Sequence, residues 1–134
     1  MTYFDTDVLV NATINQNPIK NIESNELLEQ AILAETFTIS WLSIQELGFV
    51  LAKLNRTTLE INVSLTQLIA SLPVSYDKSI FERAIELANQ IGFKDFNDCL
   101  HTAIAEQYCT DLYTYNREDF KKIQPLTFLN IHIL

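Results

Sequence analysis

The stretch Tyr3-Phe4-Asp5-Thr6-Asp7-Val8-Leu9-Val10 decides how this chain is read. It is apolar and strand-like, yet it carries two carboxylates almost at the start of the chain. A buried charge needs a counter-ion, hydrogen bonds or a metal. Asp5 therefore has two readings: the cap of a helix that begins where a short strand ends, or one member of a larger acidic group. The rest of the chain decides between them.

The totals narrow the field. At 134 residues with 48% apolar content and a mean hydropathy of +0.07, the chain reads as one soluble domain, residues 1–134, with room for a real core. No apolar run approaches the roughly 18 residues of a membrane span, and the N-terminus lacks the pattern of a signal peptide. A cytoplasmic location is expected, with Cys99 and Cys109 reduced. The net charge of −8 argues against nucleic-acid binding through a broad basic face. Divalent cations are then the natural means of approaching a polyanion, and a basic protein is a natural partner. Only two glycines, Gly48 and Gly92, leave little scope for a phosphate-cradling loop. Cysteine and histidine spacings give no zinc site.

Outward from residues 3–10, strands and helices alternate. Residues 2–4 and 8–10 read as a first strand running into a turn or helix start. Pro18 suits a first helical position after Asn17, and a clearer helix runs from Ser24 to about Ala34. Thr36–Ser40 alternates as a short strand. Ser43–Leu54 is helical, with Ile44, Leu47, Val50, Leu51 and Leu54 on one arc and Glu46 at its edge. A helix over 57–72, a short strand at 73–76 and a helix capped by Asp77 and closed at Gly92 follow. Asp95 or Asn97 caps the next helix, and Asp98 falls in its first turn, where exposed amides favour a carboxylate. Residues 111–115 form a strand, 116–120 a turn or short helix, and 126–134 the last strand. Alternation without hairpin signals predicts an α/β protein with a mostly parallel sheet covered on both faces.

In such a sheet the functional edge is the carboxyl end of the strands. Asp5, Asp7, Glu46, Asp98 and Asp119 all fall just past a strand or early in a following helix. Like charges from four chain segments meeting at one rim repel unless cations sit among them. Magnesium suits such an oxygen set, and manganese is the alternative. His101, with no second histidine nearby, reads as a surface or half-buried side chain and not as a ligand. Metal-assisted phosphodiester hydrolysis is the reaction class this set supports.

The same residues resemble a known family. Residues 3–10 resemble the opening motif of PIN domains, with its aspartate, threonine and then asparagine. Ser43-Ile44-Gln45-Glu46-Leu47 resembles their second motif, Asn97–Ala105 the third and Thr114–Phe120 the fourth. The four occur in the right order across nearly the whole chain. The resemblance implies a three-layer α/β/α sandwich and a magnesium-dependent ribonuclease. At this length it implies a VapC-like toxin, usually a homodimer, inhibited by a small VapB-like antitoxin. It also implies that Asp5 and Asp98 ligate the metal and that Glu46 completes the shell or orients water. Two departures stand out. Asp7 replaces the usual asparagine; the swap adds negative charge beside the metal, and Asp7 either adds a ligand or hydrogen-bonds the turn and supports the site structurally. Asn116 replaces the usual first aspartate of the fourth motif, and an amide cannot serve as a base, so Asp119 is assigned that role. The Asn116 departure also admits a catalytically inactive PIN-fold binding module. A receiver-type phosphoacceptor domain fits less well, lacking an aspartate after the third strand and a lysine after the fifth.

Overall fold

The computed structural model describes residues 1–134. Four short parallel strands form the sheet: β1 (Thr2–Phe4), β2 (Phe37–Thr38), β3 (Asp111–Thr114) and β4 (Asn130–Ile133), in the order β2-β1-β3-β4. Seven helices cover it: α1 (Thr6–Thr13), α2 (Pro18–Leu33), α3 (Trp41–Lys53), α4 (Thr58–Ile69), α5 (Lys78–Ile91), α6 (Phe96–Tyr108) and α7 (Arg117–Ile123). The expected α/β/α sandwich with a parallel sheet is therefore present.

Alternation along the strands builds two cores. Tyr3 and Leu112 face α5, α6 and α7, joining Leu87, Ile104, Phe120 and Ile131. Phe4 faces the other way and joins Leu9 of α1, Leu47 and Leu51 of α3, and Ile39 just after β2. From β1 the chain crosses to β2 on one side, then returns to β3 on the other. The strand order thus reverses between β1 and β3, which opens a crevice at their carboxyl ends. β1 ends at Phe4 and β3 at Thr114, so Asp5 and Asn116 flank that crevice.

Several boundaries differ from expectation, each for a local reason. Val8–Val10 are helical, because the Asp5 side chain accepts from the Thr6 amide at 2.7 Å and starts α1 immediately. α2 is one helix from Pro18, capped by Asn17, where two starts had been expected. The strand expected at 73–76 shrinks to a single bridge between Ser40 and Val74. Pro73 has no amide to extend that ladder, and Leu72 before it is already in the left-handed region at φ 57°. Asp119 consequently follows the third strand, not a fourth. The last strand is shorter than 126–134, since a 3-10 turn occupies Gln124–Leu126. Gly92 closes α5 at φ 104°, a conformation that favours glycine.

Candidate active site

The rim is built from four segments. Asp5 caps α1: Oδ1 accepts from the Thr6 amide, and Oδ2 accepts from the Thr114 hydroxyl at 2.9 Å. Asp7, in the first turn of α1, accepts from the Tyr115 amide at 3.0 Å and from Thr114 at 3.2 Å, both through Oδ2. The end of β3 thereby grips both aspartates. Glu46 projects from α3 and accepts from Thr6 Oγ1 at 2.7 Å, Asn97 Nδ2 at 2.9 Å and His101 Nε2. Asp98 stands in the first turn of α6, where Asn116 Nδ2 donates to it at 3.2 Å. Asp5, Thr6, Asp7, Glu46, Asp98 and Asn116 line one cleft of about 310 Å³.

Asp119 stands apart from that cleft. It receives a hydrogen bond from Asn116 Nδ2 at 2.8 Å and groups with Asp95 and Asp98, whose nearest oxygens lie within 4.8 Å of one another. Asn116 also caps α7 by accepting from the Asp119 amide. The amide side chain thus holds two carboxylates at once, with Asp98 on the cleft side and Asp119 behind it.

Crowding sets the protonation of the group. Burial, then the neighbouring Asp5, raises the Asp7 carboxyl to about 7. Burial and Asp5 likewise raise Asp98 to about 8. Glu46 goes the other way. Its burial opposes ionisation, but donation from His101, Thr6 and Asn97 outweighs that and holds it below the usual carboxylate range. Asp119 is also lowered, because hydrogen bonds from Asn116, Asp95 and Asp98 overcome burial.

These residues fit a hard divalent cation. The donor set is all oxygen, as magnesium and manganese prefer. Asp7 Oδ1 is buried and has no hydrogen-bond partner, an unusual state for a carboxylate oxygen in a folded protein. A cation among Asp5, Asp7 and Asp98 would relieve both the orphaned oxygen and the mutual repulsion.

One sequence reading is corrected. His101 is neither on the surface nor half-buried: it is 1% exposed and contacts Glu46 directly. Its position three residues after Asp98, on the same helix face one turn on, was the available signal. Thr6, Asn97 and Thr114 were also missed as the donors that hold the acids. No local pattern separates such threonines from ordinary ones. Of the basic residues, Lys122 lies close enough to Asp119 to help lower it. Lys53 instead lies over the Phe49 ring.

A parallel α/β sandwich with carboxylates converging at its switch point is the class that fold and cleft define. The PIN domain family model matches residues 2–125, and the chain belongs to that family. A chain of the VapBC2 complex from Rickettsia felis, crystallised bound to a DNA fragment from its promoter, superposes with a TM-score of 0.68 at 22% identity. The match covers 100% of this chain and 99% of that one. No curated protein matches the sequence. No helix is long and apolar enough to cross a membrane.

Proposed function

We propose that this chain is a divalent-metal-dependent endoribonuclease, the toxin of a toxin–antitoxin pair. The observation that carries the reading is the convergence of Asp5, Asp7, Glu46 and Asp98 on one cleft, with a buried Asp7 oxygen left unpartnered. PIN domains are generally metal-dependent nucleases, and the carboxylates of the cleft, with the Asp95–Asp98–Asp119 group beside it, support the same chemistry here.

Asp5 and Asp98 are the residues to hold magnesium or manganese, with Asp7 lining the same cleft. Bound there, the ion would supply an acidified water and neutralise charge on a phosphodiester. The protein's own part is preorganisation. Thr114 and the amides of Thr6 and Tyr115 fix the two aspartates on α1. Glu46, ionised and held by three donors, completes the acidic wall or orients water. Asn116 steadies Asp98, and Asp119 acts from behind by sharing hydrogen bonds with both. The acidic rim itself cannot attract RNA, so the cation is also the bridge to the substrate.

The partner reading rests on apolar surface away from the cleft. A groove of about 510 Å³ runs between α2 and α4, with Leu28, Ile32 and Leu68 in its walls. Leu33 and Leu59 are exposed on the same helices. A small basic antitoxin with an amphipathic helix suits this groove in a chain of net charge −8. A second copy of the chain is the other occupant expected of its exposed apolar helices.

A second reading, a PIN-fold binding module without turnover, is favoured by Asn116, an amide at the cleft where an acid is usual. RNA cleavage with magnesium or manganese decides between them. Wild type should cleave, and Asp5→Asn and Asp98→Asn should each lose activity by about 100-fold. Metal-dependent cleavage unchanged in both variants would contradict the site; no cleavage by wild type would favour the binding module.

A further inference from the structure

His101 is a buried polar side chain for which the nuclease reading supplies no task. It sits at 1% exposure in a helix otherwise packed into the core by Leu100, Ala103 and Ile104. An apolar residue would satisfy packing at such a position, and a buried imidazole is tolerated only when both nitrogens are partnered. Both are. Nδ1 lies 2.7 Å from the Tyr3 hydroxyl, which lies 2.6 Å from Ser40 Oγ and 3.1 Å from Ser43 Oγ. Those serines form the capping box that starts α3, the helix carrying Glu46. Nε2 faces Glu46 Oε1, with Thr6 Oγ1 at 3.4 Å and Asp5 Oδ1 at 3.7 Å.

The chain of contacts therefore begins at the α3 cap, passes through Tyr3 and the imidazole, and ends on the carboxylate at the cleft. An ionised Glu46 only accepts, so the proton between the two must lie on Nε2. Oε1 then receives both the imidazole N–H and the Thr6 hydroxyl. Oε2 has one partner, the amide of exposed Asn97.

We propose that His101 is a positioning residue for Glu46. Its Nε2–H clamps Oε1 against Thr6 while Tyr3 holds the ring from behind, so the carboxylate enters the cleft in one orientation with its Oε2 edge open. This rests on the reading of Glu46 as part of a nuclease site.

The test compares His101→Gln with His101→Asn. A glutamine amide stands near the place of Nε2, and an asparagine amide near that of Nδ1. The two variants bury similar polar groups, so a merely structural role would suffer equally in both. The expected result is kcat lowered about 10–100-fold in the asparagine variant with KM nearly unchanged, and recovery to within about fivefold of wild type in the glutamine variant. Equal activities would overturn the proposal. Imidazole 15N spectra of the unmodified protein give a readout that needs no variant to fold. A protonated Nε2 is expected, and a bare Nε2 would overturn the clamp. If wild type does not cleave RNA, the nuclease reading fails, and manganese affinity decides the positioning instead. A loss of about tenfold in the asparagine variant alone supports it, and equal affinities in the two variants reject it.

Discussion

Asp7 carries the sharpest electrostatic consequence in the molecule. Its neighbour Asp5 has every oxygen engaged, whereas Asp7 Oδ1 is buried without a partner. Its carboxyl is raised from 3.8 to about 7, chiefly by burial and then by Asp5. In the metal-free fold Asp7 therefore keeps a proton that the unfolded chain has already released. Its contribution to stability is present below about pH 4 and is lost as pH rises through 7. Asp7→Asn mimics the neutral form. In EDTA it should stabilise the protein by roughly 1–3 kcal/mol more at pH 8 than at pH 5. Thermal unfolding at the two pH values checks this; an equal change at both would show that the asparagine acts through packing and not through charge. That Asp5 caps a helix was readable from its place between a strand and a helix. The unpartnered oxygen was not, because it depends on Thr114 and Tyr115, more than 100 residues away.

At the scale of elements, α6 must be held firmly, since Asp98, His101 and Asn97 all ride on it. Beside their shared apolar core, the polar tie between α6 and α5 is the Arg83 guanidinium. It forks onto Glu106 at 2.9 and 3.0 Å and donates to the Leu126 carbonyl at 2.8 Å, while Thr127 adds a bond to Glu106. Arg83 side-chain exposure is 33%, so solvent screens part of this. Arg83→Met should cost about 1–2 kcal/mol in urea unfolding. Metal affinity should stay unchanged, because Arg83 makes no contact with the cleft. A loss under about 0.5 kcal/mol would mean the fork is ornamental. Helices with caps and apolar arcs, such as Lys78–Ile91 behind Asp77, were legible in the sequence because their signals are local. Residues 73–76 and 8–10 misled for the same reason. Their strand-like composition was real, but pairing is decided by neighbours, and α1 begins as soon as Asp5 caps it. His101 misled at this scale too: a helix buried nearly all round gives no arc from which to read one residue's burial.

Across the whole molecule, sheet order turns scattered acids into a site. The alternation of elements implied a parallel sheet, and parallel strands put their carboxyl ends on one rim. Which acids meet there follows from the reversal between β1 and β3, which brings Thr114 and Asn116 beside Asp5 and leaves Asp119 behind Asp98. That order is a long-range property, and the sequence motifs conveyed it only through resemblance. The central claim, that this rim holds a divalent cation through Asp5, is tested most directly by calorimetric titration with manganese. Protons must leave Asp7 and Asp98 before the ion binds, so affinity should rise from pH 6 to pH 8 with measurable proton release. It should fall by at least about tenfold in Asp5→Asn. No saturable binding at pH 8, or the same affinity in the Asp5→Asn variant, would contradict it.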